Sequence, residues 1–188
     1  MIKRRTWEAA RHPVGRLPLR EVDMNPYLIV YFSRSGYTRR VAEAIAAGCA
    51  ADIEELRPLR DYQGIGGYLR AALDTLRLRT PELQPLTHDP SAYQLVLVGT
   101  PVWAGHVPAP VYSFLSHHGA QCRRLAAFCT MGGSGGDKVL DKIAELAGKP
   151  LAGRLVLTDR DIEAGKLQSQ APAYTRELSE HVALAPLP

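Results

Sequence analysis

The sequence predicts an α/β protein, a doubly wound three-layer sandwich in which helices cover both faces of a five-stranded parallel sheet. Short apolar runs rich in Val, Leu and Ile alternate along the chain with segments whose apolar residues recur at helical spacing. Strands that alternate with helices pair in parallel through right-handed crossovers, and each connecting helix packs back on the sheet. The chain has 188 residues, of which 46% are hydrophobic, which is enough for one core.

The first half of the chain supplies two strands and two helices. The continuous apolar run Tyr27–Phe32 is typical of a strand that is buried on both faces. A helical pattern follows over Tyr37–Gly48, and the alternating segment Asp52–Leu56 predicts a half-exposed strand. Three leucines at helical spacing predict a second helix over Gly64–Arg79, and Pro81 marks its end.

The second half of the chain contains three more strands and three more helices. The strands are predicted from apolar runs, and the helices from apolar periodicity and from prolines that favour a helix start. In chain order they are the strand Gln94–Gly99, a helix that begins near Pro108 or Pro110, the strand Arg124–Cys129, the helix Asp137–Ala147, the strand Gly153–Thr158 and the helix Ala171–Val182. No internal repeat or linker divides residues 27–188, which we interpret as one domain.

The basic charge of the chain is concentrated ahead of this domain. Residues 1–26, interpreted as an N-terminal extension, hold six Lys or Arg and three Asp or Glu, and so contribute +3 of the formal charge of +4. The remaining +1 leaves the domain close to neutral, so we expect no nucleic-acid partner. No apolar stretch reaches the roughly 20 residues that a membrane-spanning helix needs, and we expect no membrane partner. A translation start at Met24 would remove most of the extension, and the sequence does not decide between the two starts.

The cysteine and histidine patterns point to a reduced protein without a metal site. The three cysteines, Cys49, Cys122 and Cys129, are odd in number and lack C-x-x-C spacing. They are typical of buried thiols in a cytoplasmic protein, which is the location we expect. None of the six histidines stands at ligand spacing to a cysteine or to a pair of carboxylates, so no metal ligands are assigned.

Three loops that follow predicted strands carry the candidate site. The first, Ser33–Thr38, places hydroxyls and backbone amides at the start of a helix, which is the arrangement that holds a phosphate dianion. The second, Thr100–His106, offers the flat ring of Trp103. The third, Thr130–Gly136, is glycine-rich, so its amides can approach a planar ligand closely. A phosphate, a flat ring and an amide-lined edge together describe flavin mononucleotide (FMN).

These loops resemble those of the flavodoxin-like superfamily, and the resemblance covers residues 27–160. The family's phosphate loop has the form Thr/Ser-x-Thr/Ser-Gly-x-Thr, and residues 33–38 match every fixed position. Its second loop often carries a proline, an aromatic residue and a glycine, and its third is commonly glycine-rich. The matching residues are Ser33, Arg34, Ser35, Gly36, Tyr37 and Thr38, then Pro101, Val102, Trp103, Ala104 and Gly105, then Thr130, Met131, Gly132 and Gly133.

The resemblance implies a flavodoxin fold in which these fifteen residues bind FMN. The hydroxyls and amides of the first loop would hold the phosphate, Trp103 would stack on or flank the isoalloxazine ring, and the third loop would face the edge of the ring. No side chain is assigned a catalytic role, because the flavin carries the electrons or the hydride.

The resemblance leaves the partners open. The protein is either an electron carrier served by a redox partner protein or an oxidoreductase that accepts hydride from NAD(P)H. Carriers of this family are usually strongly acidic, and the near-neutral domain departs from that pattern. The predicted helix Gly64–Arg79, with its arginines, is a candidate contact surface for a phosphorylated co-substrate, a partner protein or a homodimer. An alternative is a flavodoxin-fold binding or scaffold module that has lost its flavin.

Two other folds that bind nucleotides or carry a phosphate are excluded because their required residues are missing. A phosphorylation-dependent receiver domain shares this topology but needs an aspartate at the end of the third strand, where this chain has Gly99 and Thr100. A dinucleotide-binding domain needs G-x-G-x-x-G after the first strand, and the chain has one glycine there.

Overall fold

The computed structural model of the protein describes residues 25–59 and 80–183. The elements in chain order are β1 (Tyr27–Tyr31), α1 (Tyr37–Cys49), β2 (Asp52–Glu55), β3 (Leu95–Pro101), α2 (Ala109–His118), β4 (Leu125–Met131), α3 (Gly136–Ala147), β5 (Leu151–Thr158), α4 (Asp159–Glu163) and α5 (Leu167–Ala183), with one short 3₁₀ turn at Pro90–Ala92.

The five strands form one parallel sheet in the order β2-β1-β3-β4-β5. β1 lies between β2 and β3, with Ile29 in register with Ile53 on one side and Leu97 on the other. Strand order therefore reverses between β1 and β3. In open parallel sheets this switch point leaves a crevice outside the carboxyl ends of the strands, where ligands bind.

Alternate residues of the central strands fill two separate cores, one on each face of the sheet. Leu28 and Val30 of β1 belong to the core under α2 and α3, whereas Ile29 and Tyr31 belong to the core under α1 and α5. The period of two follows from the pleat of a strand. Both faces are covered, which explains why β1, β3 and β4 read as continuous apolar runs rather than as alternating ones.

The predicted fold class is confirmed, with differences at the element ends. The strands β3 and β4 extend two residues beyond the predicted ends and include Pro101 and Met131. β5 begins at Leu151 rather than Gly153. The last helix begins at Leu167 rather than Ala171, because the polar residues before Ala171 hide its first turn from apolar periodicity. Pro172 therefore lies inside the helix rather than at its start.

Two predictions fall on residues outside the described ranges, namely the helix Gly64–Arg79 and residues 1–24 of the extension. Within residues 25–59 and 80–183, no helix combines the length and the apolar character that a bilayer crossing requires. The same residues contain no cluster of three or more His, Cys, Asp or Glu with the arrangement of a metal site.

Candidate functional site

The three loops singled out in the sequence meet at the carboxyl ends of β1, β3 and β4, and Thr130 touches the other two. Its hydroxyl lies 2.8 Å from the hydroxyl of Thr38, in the first loop. Its carbonyl accepts a hydrogen bond of 2.9 Å from the amide of Val102, in the second loop. The fold therefore brings residues that are 92 positions apart in sequence, Thr38 and Thr130, together at one edge of the sheet.

The first loop turns sharply at Gly36 and leads directly into α1. Gly36 has φ of +90°, a left-handed conformation that glycine adopts without strain, and a Cβ at this position would find open space. The hydroxyl of Ser33 accepts a hydrogen bond of 3.2 Å from the amide of Arg39, and the carbonyl of Gly36 accepts one from the amide of Arg40. The loop is thus tied to the first turn of the helix by both of its ends.

Several donors of this loop remain available to a ligand. The first amides of a helix have no carbonyl partner inside the helix, and those of Tyr37 and Thr38 have no hydrogen bond to another described residue. Ser33 uses its oxygen as an acceptor from Arg39, so its own proton is free to point elsewhere. Ser35 is exposed at the surface of the loop, and Arg34 is exposed as well but already has an interaction partner. The loop therefore presents hydroxyl and amide donors at the positive end of a helix.

The structure places Thr38 differently from the other hydroxyls of the loop. Its side chain is 1% exposed, and its hydroxyl lies against that of Thr130, which is 3% exposed. The predicted hydroxyl donor is therefore a member of a buried pair at the base of the loop. This contact could not be anticipated from the sequence motif, because Thr130 lies outside the motif, on β4.

The second loop is a tight turn that holds Trp103 against the core. Trp103 and His106 exchange two backbone hydrogen bonds of 3.2 and 2.8 Å across Ala104 and Gly105, which both have positive φ, 49° and 75°. The ring of Trp103 packs edge-on against Phe32, with centroids 5.5 Å apart and planes at 79°. Trp103 is only half-buried by this packing, so part of its ring remains accessible.

The third loop lies directly against the second one. A Cβ on Gly135 would lie 3.4 Å from the Cα of Gly105, so the two backbones approach each other closely. Gly132 and Gly133 are exposed, and a Cβ on Gly133 would meet no atom within 4 Å. Met131 and Thr130 belong to the last residues of β4 rather than to the loop. The backbone of Gly132 and Gly133 is therefore exposed next to the contact between the second and third loops.

Residues after β5, which no sequence motif indicated, also reach the site. The hydroxyl of Tyr37 donates a hydrogen bond to the carboxylate of Glu163 on α4, and this bond raises the pKa of Tyr37. A carboxylate oxygen of Asp159 would lie 3.5 Å from a Cβ on Gly132. Burial, and then the charge of Glu163, raise the pKa of Asp159.

A sequence signal for this last element did exist. Thr158 and Asp161 form a capping box, in which each side chain accepts a hydrogen bond from the backbone amide of the other residue. Hydrogen bonds from Lys166 and Thr158 lower the pKa of Asp161 to about 2. The pattern Thr-x-x-Asp is a recognised helix start and would have placed a helix here.

The phosphate loop lines neither of two cavities found in the described part of the chain. One of about 370 Å³ borders the second loop at Gly105 and His106 and extends along α3 to Lys142. The other, of about 900 Å³, lies beside the carboxyl end of α2, away from the three loops. Residues 33–37 of the first loop are exposed or partly exposed, and only Thr38 is buried.

Comparison with known proteins places this site in a family context. The flavodoxin family model matches residues 26–152, which contain all three loops. The crystal structure of a flavoprotein in complex with FMN from Lactobacillus acidophilus NCFM is 29% identical in sequence. It covers 76% of this chain and 98% of its own, with a TM-score of 0.61.

Two further solved structures support the fold alone, because their identity to this chain is low. A Bacteroides uniformis ATCC 8492 protein is 18% identical, covers 81% of this chain and 98% of its own, and superposes with a TM-score of 0.68. A WrbA-like flavodoxin from Agrobacterium tumefaciens is 18% identical, covers 82% of this chain and 96% of its own, and superposes with a TM-score of 0.54. No curated protein sequence matches the chain significantly.

Proposed function

We propose, since the chain belongs to the flavodoxin family, that it is an FMN-binding redox protein that transfers electrons or hydride through the bound flavin. One observation carries the proposal. The phosphate motif, the accessible tryptophan and the glycine run come from three different loops, and Thr130 on β4 joins these loops beside the switch point between β1 and β3. The 29% identical flavoprotein that covers three quarters of this chain is itself an FMN complex.

The residues of the first loop fit a phosphate group. A phosphate dianion accepts hydrogen bonds and needs donors, and here the donors are the amides of Tyr37 and Thr38 and the hydroxyls of Ser33 and Ser35. The dipole of α1 adds a positive potential at the same place. The open space around Gly36 lets an anion approach the backbone.

The second and third loops fit a planar ring system. Trp103 is partly exposed, and its edge-on contact with Phe32 holds the ring in place. The exposed backbone at Gly132 and Gly133 offers amides without side chains that would block a ring edge. The contact between Gly105 and Gly135 sets the spacing between these two walls.

The flavin supplies the redox chemistry when it is bound, and the side chains described here bind and orient it. The glycine amides would face the polar edge of the ring, and Trp103 would shield one part of it from water. No side chain at this edge of the sheet is needed as a nucleophile. The buried thiol of Cys129 is unsuited to that task, because burial raises its pKa to about 12.

The electron donor is the open part of the proposal, with NAD(P)H and a redox partner protein as the two candidates. The charge of the domain favours direct reduction by a small molecule. A carrier that recognises basic partners relies on a strongly acidic surface, whereas residues 27–188 carry a formal charge near +1.

The first test is reconstitution. The purified chain is mixed with FMN, separated from free flavin by gel filtration, and examined for flavin absorbance in the protein fraction. Retention of about one FMN per chain is the expected result. A chain that retains no flavin after refolding in excess FMN would instead be a flavin-free binding module.

The second test separates the two donors. NADH or NADPH is added without oxygen to the FMN-loaded protein, and the flavin absorbance is followed. Direct bleaching identifies a reductase. A flavin that is bleached only when a separate reductase is added identifies a carrier.

A further inference from the structure

The hydroxyls of Thr38 and Thr130 form a buried pair that joins the phosphate loop to the third loop. Their Oγ1 atoms are 2.8 Å apart, and the two residues are almost fully buried. Thr38 lies in the first turn of α1, and Thr130 is the second-last residue of β4. The pair therefore lies directly beneath the donors that face a phosphate.

The number of protons in this pair limits what Thr38 can do. Each hydroxyl carries one proton and two lone pairs, so only one of the two donates in the bond between them. If Thr38 donates to Thr130, its proton is used and cannot serve a ligand. If Thr130 donates to Thr38, the proton of Thr38 is free to point into the loop. No other described hydrogen bond of either hydroxyl selects between these states.

A bound phosphate would select the second state. The dianion is an acceptor only, and a hydrogen bond to an ionised group is roughly twice as strong as one between neutral groups. Thr38 then gives its proton to the phosphate, and Thr130 gives its proton to Thr38. The orientation of Thr130 is held from its backbone as well, because its carbonyl accepts from the amide of Val102.

We propose that Thr130 is a positioning residue for the phosphate group of FMN, in which its hydroxyl donates to Thr38 and directs the Thr38 proton toward the phosphate. This inference rests on the proposed function. It assigns Thr130 to the phosphate group of FMN. The sequence motif alone assigns Thr130, with the other residues of the third loop, to the edge of the flavin ring.

The test compares FMN with riboflavin, which has the same ring system without the phosphate. Dissociation constants for both are measured by fluorescence titration of the wild type, Thr130→Val and Thr130→Ser. Thr130→Val keeps the shape of the side chain and removes the hydroxyl. We expect it to weaken FMN binding by about tenfold and riboflavin binding by less than about twofold. Thr130→Ser keeps the hydroxyl and should restore the affinity for FMN.

A double-mutant cycle tests whether Thr130 acts through Thr38. Thr38→Val alone should weaken FMN binding by about tenfold or more. Adding Thr130→Val to it should change the affinity by less than about twofold, because the proton that Thr130 directs is already gone. Additive losses in the double variant would mean that the two hydroxyls act independently, and would overturn the inference.

The control is Thr175→Val, which removes another buried hydroxyl of the same residue type on α5, far from the three loops. It should leave both dissociation constants unchanged. An equal loss of FMN and riboflavin affinity in Thr130→Val would assign Thr130 to the ring or to general packing and would overturn the inference alone. A wild type that binds no FMN would overturn the proposed function and the inference with it.

Discussion

The hydroxyl of Tyr37 on α1 donates a hydrogen bond to the carboxylate of Glu163 on α4, although the strands that precede these helices, β1 and β5, are separated by β3 and β4 in the sheet. The contact is possible because α1 crosses this face of the sheet and packs against α5 and the segment before it. It ties the phosphate loop to the short helix α4. The proposed phosphate donors are the sequence neighbours of Tyr37, so this side chain would link ligand binding to the end of β5.

Replacement of Tyr37 by Phe should loosen α4 while leaving the global stability close to that of the wild type. The ring stays, but the bond to Glu163 is lost, and that bond lies at the surface. We expect amide hydrogen exchange at Ala164 and Gly165 to become roughly two- to tenfold faster. Tyr112→Phe removes a tyrosine hydroxyl on α2 and serves as the control. Unchanged exchange in Tyr37→Phe would show that the bond does not hold α4 in solution.

Replacement of Gly99 by Ala should destabilise the protein by about 1–3 kcal/mol, because it overpacks the core. A Cβ on Gly99 would lie 2.3 Å from the ring of Phe128, which is fully buried and in register with it on the next strand. The free energy of unfolding in urea measures the effect. Gly133→Ala is the matched control, since a Cβ there meets nothing within 4 Å, and it should change stability by less than about 0.5 kcal/mol. Equal stability of both variants would contradict the close packing of Gly99.

The strands of this fold could be predicted because their signal is local. A strand that is buried on both faces is apolar at nearly every position. The local sequence alone therefore predicts β1, β3 and β4, without knowledge of the strands beside them. The short helix α4 could not be predicted from periodicity, because five residues make less than two turns. Its only local signal is the capping box of Thr158 and Asp161.

The candidate site likewise has a part that the local sequence predicts and a part that depends on contacts between distant residues. The donors of residues 33–38 lie in one loop, so the motif predicts them together. The contacts of Thr38 with Thr130 and of Tyr37 with Glu163 join residues that are 92 and 126 positions apart. Those contacts depend on where α1 comes to lie across the sheet, which no single segment encodes. Contacts between loops are therefore what the structure adds to the motif.

Replacement of Trp103 by Leu should affect both stability and flavin binding. The edge-on contact with Phe32 is lost, which should lower the free energy of unfolding by about 1 kcal/mol. If Trp103 also contacts the flavin ring, the affinity for FMN should fall by about three- to tenfold. Trp103→Phe keeps an aromatic ring and should retain most of the stability and most of the affinity for FMN. Stability is measured in urea and affinity by fluorescence titration. A stability loss without any loss of affinity would assign Trp103 to core packing alone.

Replacement of Asp159 by Asn should make the protein more stable at neutral pH. Burial and the charge of Glu163 raise the pKa of Asp159 above its ordinary value of 3.8, so the folded state disfavours its charged form. This penalty is complete above the raised pKa and disappears as the pH falls through it toward 3.8. The advantage of the variant should therefore be present at pH 7.5 and shrink toward zero on acidification.

Urea unfolding of the wild type and the variant measures this difference, at pH values from about 8 down to about 4, where carboxylates begin to titrate. Asp159 lies in the first turn of α4, where a negative charge also interacts favourably with the helix dipole. Asp137→Asn, in the first turn of α3, loses the same kind of interaction and corrects for it. An Asp159→Asn variant that is no more stable than Asp137→Asn at pH 7.5 would show that the carboxylate at Gly132 carries no penalty.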